Sequence, residues 1–415
     1  MIKATEIELP ETEKEKVSVT LWLSFAVCFL GNVFGGMSST LMSAYLPATV
    51  RDLQGATQPD QLVAIGASIN ALYFVGWAIG GLTWGVISDR IGRARSLSML
   101  IGLYGLFTVL ISFSSSWEML MLFRFFCGFS VGGMMVVNTT LLSETWPEKT
   151  RAVFIGILSI GFPVGIFSSG VVTYLVSSWR QGFMIGFVPC VLALLSLVVL
   201  KESEKWKLSR NHSQQKAPAL LSEYRSRLIN GSIIFGSMLI GLWAIFSWVP
   251  TWVQSLLTNS DGQAERGLCM MLLGAGGLTG GFFSGWVSNN LGVKRAMTIC
   301  FSGCFIMSFV LFRLNTVFSP VIYAEIVVLS LFFGISQGLL AVYIPLLFPV
   351  SIRATATGFC FNIGRFVTAA AVFFVGFLVN SLGGYGNSLL VFSCVFLFGL
   401  TAIYFSPPQK GHDAQ

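Results

Sequence analysis

Long apolar runs separated by short polar segments set the pattern of this chain. A run of about 20 apolar residues forms an α-helix long enough to cross the hydrocarbon core of a bilayer. Twelve such runs occur, near residues 19–46, 63–87, 96–115, 118–143, 152–177, 182–200, 228–257, 267–288, 296–316, 319–345, 354–379 and 386–406. The pattern therefore predicts an all-α membrane protein with twelve transmembrane helices and with both termini on one side.

Three polar segments divide the predicted spans. Residues 1–18 mix glutamate and lysine without an apolar core, which is typical of a disordered leader and not of a cleavable signal. We expect this cytosolic leader to be followed by a six-helix bundle over 19–200. A cytoplasmic linker over 201–227, a second six-helix bundle over 228–406 and a cytosolic tail over 407–415 complete the predicted organisation.

The composition places the chain in lipid. Hydrophobic residues make up 54% of the sequence and charged residues only 10%, whereas an average soluble domain has about 25% charged residues. The net charge of +7 raises the question of a nucleic-acid partner. However, the basic residues lie in short loops between apolar spans, which is typical of membrane orientation. We therefore expect a lipid bilayer and no nucleic acid as partner.

The distribution of basic residues predicts the orientation. Among the 25 Lys and Arg, only Arg51, Arg180, Arg266 and Arg313 fall in loops on the side away from the termini. Cytoplasmic loops carry the excess of basic residues in membrane proteins. The sequence thus predicts a multi-pass protein of the cell (inner) membrane with both termini in the cytoplasm.

The second half of the chain repeats motifs of the first. Gly85, Ser88, Gly92 and Arg95 return 200 residues later as Gly285, Ser288, Gly292 and Arg295. Pro147, Arg151 and Gly156 return as Pro349, Arg353 and Gly358. An internal duplication of this kind predicts two halves built on a common plan, hence a 6+6 pseudo-symmetric arrangement.

The repeated motif resembles a family signature. Residues Gly85–Arg95, between spans two and three, fit the pattern Gly-x-x-x-Asp-Arg-x-Gly-Arg-x-x of the major facilitator superfamily. Arg124-x-x-x-Gly128, Glu144-x-x-Pro147-x-x-x-Arg151 and Lys201-Glu-Ser-Glu-Lys-Trp206 are similar to elements of its metabolite and sugar porter branches. The segment 348–365 most resembles the sialate and monocarboxylate proton symporters. The resemblance covers nearly all of residues 19–406.

The resemblance implies a secondary active transporter that moves a small organic anion, a carboxylate or an acidic sugar, by alternating access. It also implies that proton coupling is possible. A facilitative or sugar-type carrier and a drug efflux pump are alternatives within transport, and a transporter-like sensor is an alternative outside it. An enzyme is disfavoured because no nucleophile–base or metal-ligand constellation occurs. We expect no cofactor and no metal, and a monomer.

Arg365 is the central candidate for substrate binding. It lies near the middle of its span, where an unpaired cation costs roughly 2.5–3.5 kcal/mol even on the mildest scale. Asn362 shares its helical face. We expect this pair to bind a carboxylate through two hydrogen bonds, with a structural arginine as the alternative. Further candidates for the cavity, each of which could equally be helix-packing residues, are Gln337, Asn32, Asn138 and Trp248.

Two charged residues within spans are candidates for coupling. By resemblance, Arg124 on span four occupies the position of an arginine that responds to proton binding in sugar porters. Its alternative role is to bond Asn32 and backbone carbonyls. Glu325 on span ten is either a proton carrier or a surface partner of Arg313. Asn32 stands near the place where proton-coupled relatives often have an acid, which supports the facilitative alternative.

A charged cluster at the cytoplasmic ends is predicted to act as a gate. An anion such as Asp89 is favoured at the positive N-terminal end of a helix, and the resemblance identifies that helix as span eleven. We expect ion pairs across the two halves when the inner gate is shut, and their loss when it opens. The gate candidates are Asp89, Arg93, Arg95, Glu144, Arg151, Glu204 and Arg353. The second half lacks the matching acids, with Asn289 and Leu346 in their places.

Overall fold

The computed structural model describes residues 18–55, 59–209, 224–257, 261–349 and 353–406. Within them, 12 helices are long and apolar enough to cross a membrane, which confirms the predicted all-α class. They are α1 (Val19–Gln54), α2 (Pro59–Ile91), α3 (Arg93–Ile111), α4 (Trp117–Thr145), α5 (Arg151–Leu175), α6 (Trp179–Val199), α7 (Arg225–Ser255), α8 (Gln263–Leu291), α9 (Val293–Leu314), α10 (Val321–Leu346), α11 (Arg353–Ser381) and α12 (Tyr385–Tyr404). The predicted leader up to residue 17, the tail 407–415 and linker residues 210–223 lie outside the described residues.

Most helices extend a few residues beyond their predicted ends, and two of these extensions bear on the predicted organisation. α1 continues past residue 46 through Pro47, because tertiary packing can satisfy the backbone groups that a proline frees in a membrane helix. α7 begins at Arg225, inside the segment predicted as linker. Its first turn was not predicted because Arg225 and Arg227 interrupt the apolar pattern. Arg227 Nη1 donates to Leu347 O at 3.2 Å in this turn. Part of the linker also forms a short helix, Glu204–Ser209.

The repeated loop motif forms the same kind of turn in both halves. Gly92 joins α2 to α3 with φ of 108°, and Gly292 joins α8 to α9 with φ of 74°. Positive φ values of this size disfavour residues with a Cβ. The recurrence of glycine at these two positions therefore has a backbone reason.

Packing inside each half follows the same repeat. Gly80 of α2 and Gly132 of α4 each lie so close to the backbone of the other helix that a Cβ would not fit. Gly280 of α8 and Gly334 of α10 pack against α10 and α8 in the same way. Small residues let membrane helices approach closely, so the duplication extends from the sequence to the helix contacts.

Consecutive spans alternate in direction, which defines two faces of the molecule. We call the face with the α2–α3 and α8–α9 turns the basic face, and the other the distal face. α1–α6 form the first half and α7–α12 the second. Near the distal face the halves are in contact. Gly170 of α5 packs on the backbone of Gly267 in α8, and Gly376 of α11 packs on Ala67 of α2.

The same helices separate toward the basic face. Gly156 of α5, Gly285 of α8 and Gly358 of α11 lie about four or five turns from the distal contacts, hence on the same sides of their helices. Among the described residues, nothing lies within 4 Å of a Cβ built at any of these three positions. The space between the halves is therefore closed at the distal face and open at the basic face.

Candidate functional site

Arg365 lies near the middle of α11 and faces the first half. Its Nη1 donates to Asn362 Oδ1 at 3.3 Å. A Cβ built on Gly81 of α2 would lie 3.6 Å from Asn362 Oδ1 and 3.8 Å from Arg365 Nη1. The ion pairs found among the described residues include none to Arg365. The guanidinium thus lies between the halves with donors available for a ligand.

An aromatic cluster borders Arg365 on its distal side. Trp243 of α7 contacts three rings of the first half, with centroid distances of 5.1 Å to Phe74, 5.1 Å to Trp77 and 6.0 Å to Phe162. Trp77 is one helical turn from Gly81 and shares its side of α2. Its buried Nε1 has no hydrogen-bond partner within the described ranges. The aromatic cluster therefore lies about one helical turn on the distal side of Gly81, the residue that faces Arg365 and Asn362.

Gln337 and Trp248, two further predicted substrate residues, have buried nitrogen donors. Neither Gln337 Nε2 nor Trp248 Nε1 has a hydrogen-bond partner in the part of the chain that the structure describes. The Trp248 ring lies 5.7 Å from that of Tyr385 on α12, so it packs within the second half. Their roles in binding stay predictions.

Asn32 and Asn138 form a hydrogen-bond chain inside the first half. Asn138 Nδ2 donates to Cys28 O at 2.8 Å and to Asn32 Oδ1 at 3.0 Å. Asn32 Nδ2 in turn donates to Leu158 O at 2.8 Å. These bonds join α1, α4 and α5, which favours the packing alternative, and a contact with substrate stays a prediction.

Arg124 is held against α1 and α2. Its Nη1 donates to Ser38 O at 2.8 Å and its Nη2 to Ser39 O at 3.2 Å. The guanidinium carbon lies 4.0 Å from the centroid of the Tyr73 ring. The expected bonds to backbone carbonyls are present, but they go to α1 serines and not to Asn32. A coupling role for Arg124 stays a prediction.

Glu325 lies in the second turn of α10, near the distal face. Its Oε2 accepts a hydrogen bond from Asn315 Nδ2 at 2.6 Å. The ion pairs among the described residues do not include Arg313, the partner expected for it. Arg313 is exposed at the end of α9, while Asn315 directly follows that helix. The carboxylate is therefore bonded by a neutral amide.

Arg93 links two acids at the basic face. Its Nη2 lies 2.7 Å from Asp89 Oδ1 and its Nε lies 3.3 Å from Glu144 Oε1. Trp206 Nε1 donates to Asp89 O at 2.8 Å. All four residues belong to the first half or to the chain directly after it. These groups therefore pair within the first half while the basic face is open, and ion pairs across the halves on closure stay a prediction.

Among the remaining gate candidates, Arg151 and Glu204 pair locally, whereas Arg95 is exposed and belongs to none of the ion pairs of the described residues. Arg151 Nη1 lies 3.5 Å from Glu148 Oε1, and Lys207 Nζ lies 2.6 Å from Glu204 Oε1. The side chain of Arg353 lies outside the described residues. A role for each of them in gating stays a prediction.

Glu202 contacts the start of α3, and this contact was not predicted from the sequence. Its two carboxylate oxygens accept hydrogen bonds from Ala94 N at 3.1 Å and Arg95 N at 3.0 Å, at the start of α3. The predicted gate residue is Glu204, two residues later. An acid opposite a helix N-terminus is a known stabilising arrangement, but the sequence does not show which glutamate reaches it.

Two residues of α8 that bond to the other half near the distal face were also missed. Arg266 Nε of α8 donates to Ala44 O of α1 at 2.6 Å, and Gln263 Nε2 donates to Thr173 O of α5 at 2.8 Å. Arg266 entered the sequence analysis only as one of the basic residues on the distal side. No periodicity or motif pointed to backbone carbonyls of the other half as its partners.

Comparison with known proteins identifies the class. The chain is 29% identical to the probable 4-methylmuconolactone transporter of Cupriavidus pinatubonensis, over 94% of this chain and 91% of that one. It is 26% identical to the cis,cis-muconate transport protein of Acinetobacter baylyi, over 97% and 98%. It is 27% identical to the sialic acid transporter NanX of Escherichia coli, over 89% of each chain.

Solved structures show the same fold. A D-xylose-proton symporter aligns with a TM-score of 0.76 at 17% identity, over 94% of this chain and 98% of that one. The xylose transporter XylE from E. coli, in a partially occluded inward-open conformation, aligns with a TM-score of 0.75 at 18% identity, over 95% and 99%. The family model described as Major Facilitator Superfamily matches residues 28–372. The expectation of a carrier and not an enzyme is confirmed, and the chain belongs to the major facilitator superfamily.

Proposed function

We propose that this transporter imports a small organic acid whose carboxylate binds Arg365 and Asn362 and whose unsaturated or ring portion packs on the Trp243 cluster. The observation that supports this most directly is the mid-membrane guanidinium without an ion-pair partner among the described residues. A bound carboxylate offsets the cost of a cation at this depth and matches the planar donors of arginine.

The surroundings of Arg365 favour a planar acid over an acidic sugar. Trp243, Phe74, Trp77 and Phe162 pack their rings on one another on the distal side of Arg365 and offer few polar groups. An aromatic or conjugated ligand packs well on such faces, whereas a sugar needs several hydrogen bonds. Relatives named for muconate and for a muconolactone agree with this choice.

We also propose how the molecule is placed and how it moves. With the basic face in the cytoplasm, both termini are cytoplasmic and the structure is the inward-open state of a monomer in the inner membrane. The bundles 19–200 and 228–406 then rock about the site at the bilayer midplane. We propose Glu325 as the residue that couples transport to protons.

Thermal stabilisation of the purified protein tests the substrate class. A ligand that binds only the folded state raises the melting temperature with its concentration. We expect benzoate and cis,cis-muconate to stabilise the protein, sialic acid to do so less, and D-xylose to have no effect. The Trp243→Leu variant is expected to lose more of the benzoate shift than of the muconate shift. Stabilisation by D-xylose alone would contradict the proposal.

A further inference from the structure

Arg266 is a buried cation whose bonds cross between the halves. Arg266 is only 2% exposed. Its Nε donates to Ala44 O of the first half at 2.6 Å. Its Nη1 donates to Gln254 Oε1 at 2.8 Å and to Asp261 O at 2.6 Å, both in the second half. The guanidinium is therefore anchored in the second half and reaches a carbonyl of α1.

Gln263, one turn earlier on α8, makes a parallel contact with α5. Its Nε2 donates to Thr173 O at 2.8 Å and to Val176 O at 3.0 Å. α5 ends at Leu175, so the carbonyls of its last turn lack partners within the helix. Tyr45 OH also donates to Val176 O, at 2.6 Å. The side-chain amide of Gln263 thus donates to carbonyls at the C-terminal end of α5, in the other half.

We propose that Arg266 and Gln263 form a distal latch that holds the halves together while the basic face is open. Both donors lie on α8, and the acceptors lie in the distal third of α1 and at the distal end of α5. When the distal face opens, these bonds break. The freed donors and carbonyls must then form hydrogen bonds with water instead. The latch therefore adds to the stability of the state in the structure and opposes the outward-open state.

The distal latch differs in chemistry from the basic-face cluster. Its acceptors are neutral carbonyls, whereas Asp89, Arg93 and Glu144 are charged. Salt screens exposed charge pairs strongly and buried hydrogen bonds little. We therefore expect closure at the distal face to persist at high ionic strength.

Distances between spin labels test the latch in the substrate-free protein in lipid. One label pair at Ser177 and Ala264 reports the distal face. A second pair at Lys149 and Asn290 reports the basic face. The partly exposed Cys190 and the exposed Cys394 are first replaced by serine so that only the introduced cysteines are labelled.

Gln263→Ala loses two hydrogen bonds across the halves and Arg266→Gln loses one charged donor. Each variant is expected to raise the ratio of distal-open to distal-closed molecules by roughly tenfold. The Lys149–Asn290 distance is expected to shorten in the same molecules. Arg180→Gln is the matched control, because Arg180 lies at the same face but bonds Asp52 and Ser114 O within the first half.

Unchanged Ser177–Ala264 distances in folded Gln263→Ala protein would overturn the latch, whether or not Arg266→Gln folds. An equal shift in Arg180→Gln would also overturn it, because the effect would then be general to distal hydrogen bonds. These outcomes do not depend on the substrate, so they are independent of the proposed organic-acid transport.

Discussion

At the residue scale, Arg365 offers a ligand both a positive charge and a planar pair of hydrogen-bond donors. Arg365→Lys keeps the charge but loses the planar pair of donors that matches a carboxylate. We expect it to weaken binding of benzoate by about tenfold, which corresponds to one charge-assisted hydrogen bond, with some uptake remaining. Arg365→Ala is expected to abolish stabilisation by benzoate. The measurement is the melting temperature of purified variants against benzoate concentration.

The ligand-free melting temperature separates a binding role from a structural one. If Arg365 binds substrate, both variants should melt near the wild type without ligand. A large drop in Arg365→Ala would instead make it a structural arginine. Arg313→Ala is a suitable control, since Arg313 is exposed at the distal end of α9 and should leave benzoate binding unchanged.

Glu325 is the acid we assign to coupling. It accepts a bond from the neutral Asn315, so protonation would not break an ion pair. Glu325→Gln removes the titratable group and keeps an oxygen acceptor. We expect uptake in this variant to lose its pH dependence while exchange of substrate across the membrane continues. Uptake with a wild-type pH profile would exclude Glu325 as the coupling residue. Coupling would then have to involve another acid or be absent.

At the element scale, the start of α3 depends on a residue from the segment after α6. The carboxylate of Glu202 accepts from Ala94 N and Arg95 N. We expect Glu202→Gln to destabilise the protein by ~1 kcal/mol, the usual effect of a lost helix cap. Glu204→Gln is the control, because Glu204 makes an exposed i,i+3 pair with Lys207, and such pairs contribute only about 0–1 kcal/mol. Equal shifts in melting temperature would contradict the assignment.

The same region shows what the sequence could and could not predict. The twelve spans follow from apolar length, and the turns at Gly92 and Gly292 follow from their repetition, because both are local properties. The choice of Glu202 over Glu204 depends on how the segment after α6 folds back on α3. The bonds of Arg266 and Gln263 depend on which carbonyls of the other half lie nearby. Contacts between distant segments leave no periodic trace in a single sequence.

At the scale of the whole molecule, the duplication gives symmetric helices but unequal gates. Gly80 and Gly280 pack alike, yet only the first half carries the acid Asp89, opposite Asn289 in the repeat. The described distal bonds across the halves come from α8 of the second half. The acids proposed for closure of the basic face thus lie in the first half, whereas the donors proposed for closure of the distal face lie in the second half.

Because Asp89 and Asn289 occupy equivalent positions of the repeat but differ in charge, we expect substitutions at the two positions to have unequal effects. Asp89→Asn weakens the hold on Arg93 and removes the anion expected at the N-terminus of α11 when the basic face closes. Closure should become rarer and substrate exchange several-fold slower, by roughly the 0.3–1 kcal/mol of such a charge–dipole interaction. Asn289→Asp should behave like the wild type, because Asn289 is exposed and its half already works without a charge. The Lys149–Asn290 label distance and the exchange rate in vesicles measure both effects, and equal losses in the two variants would show that the gates are equivalent after all.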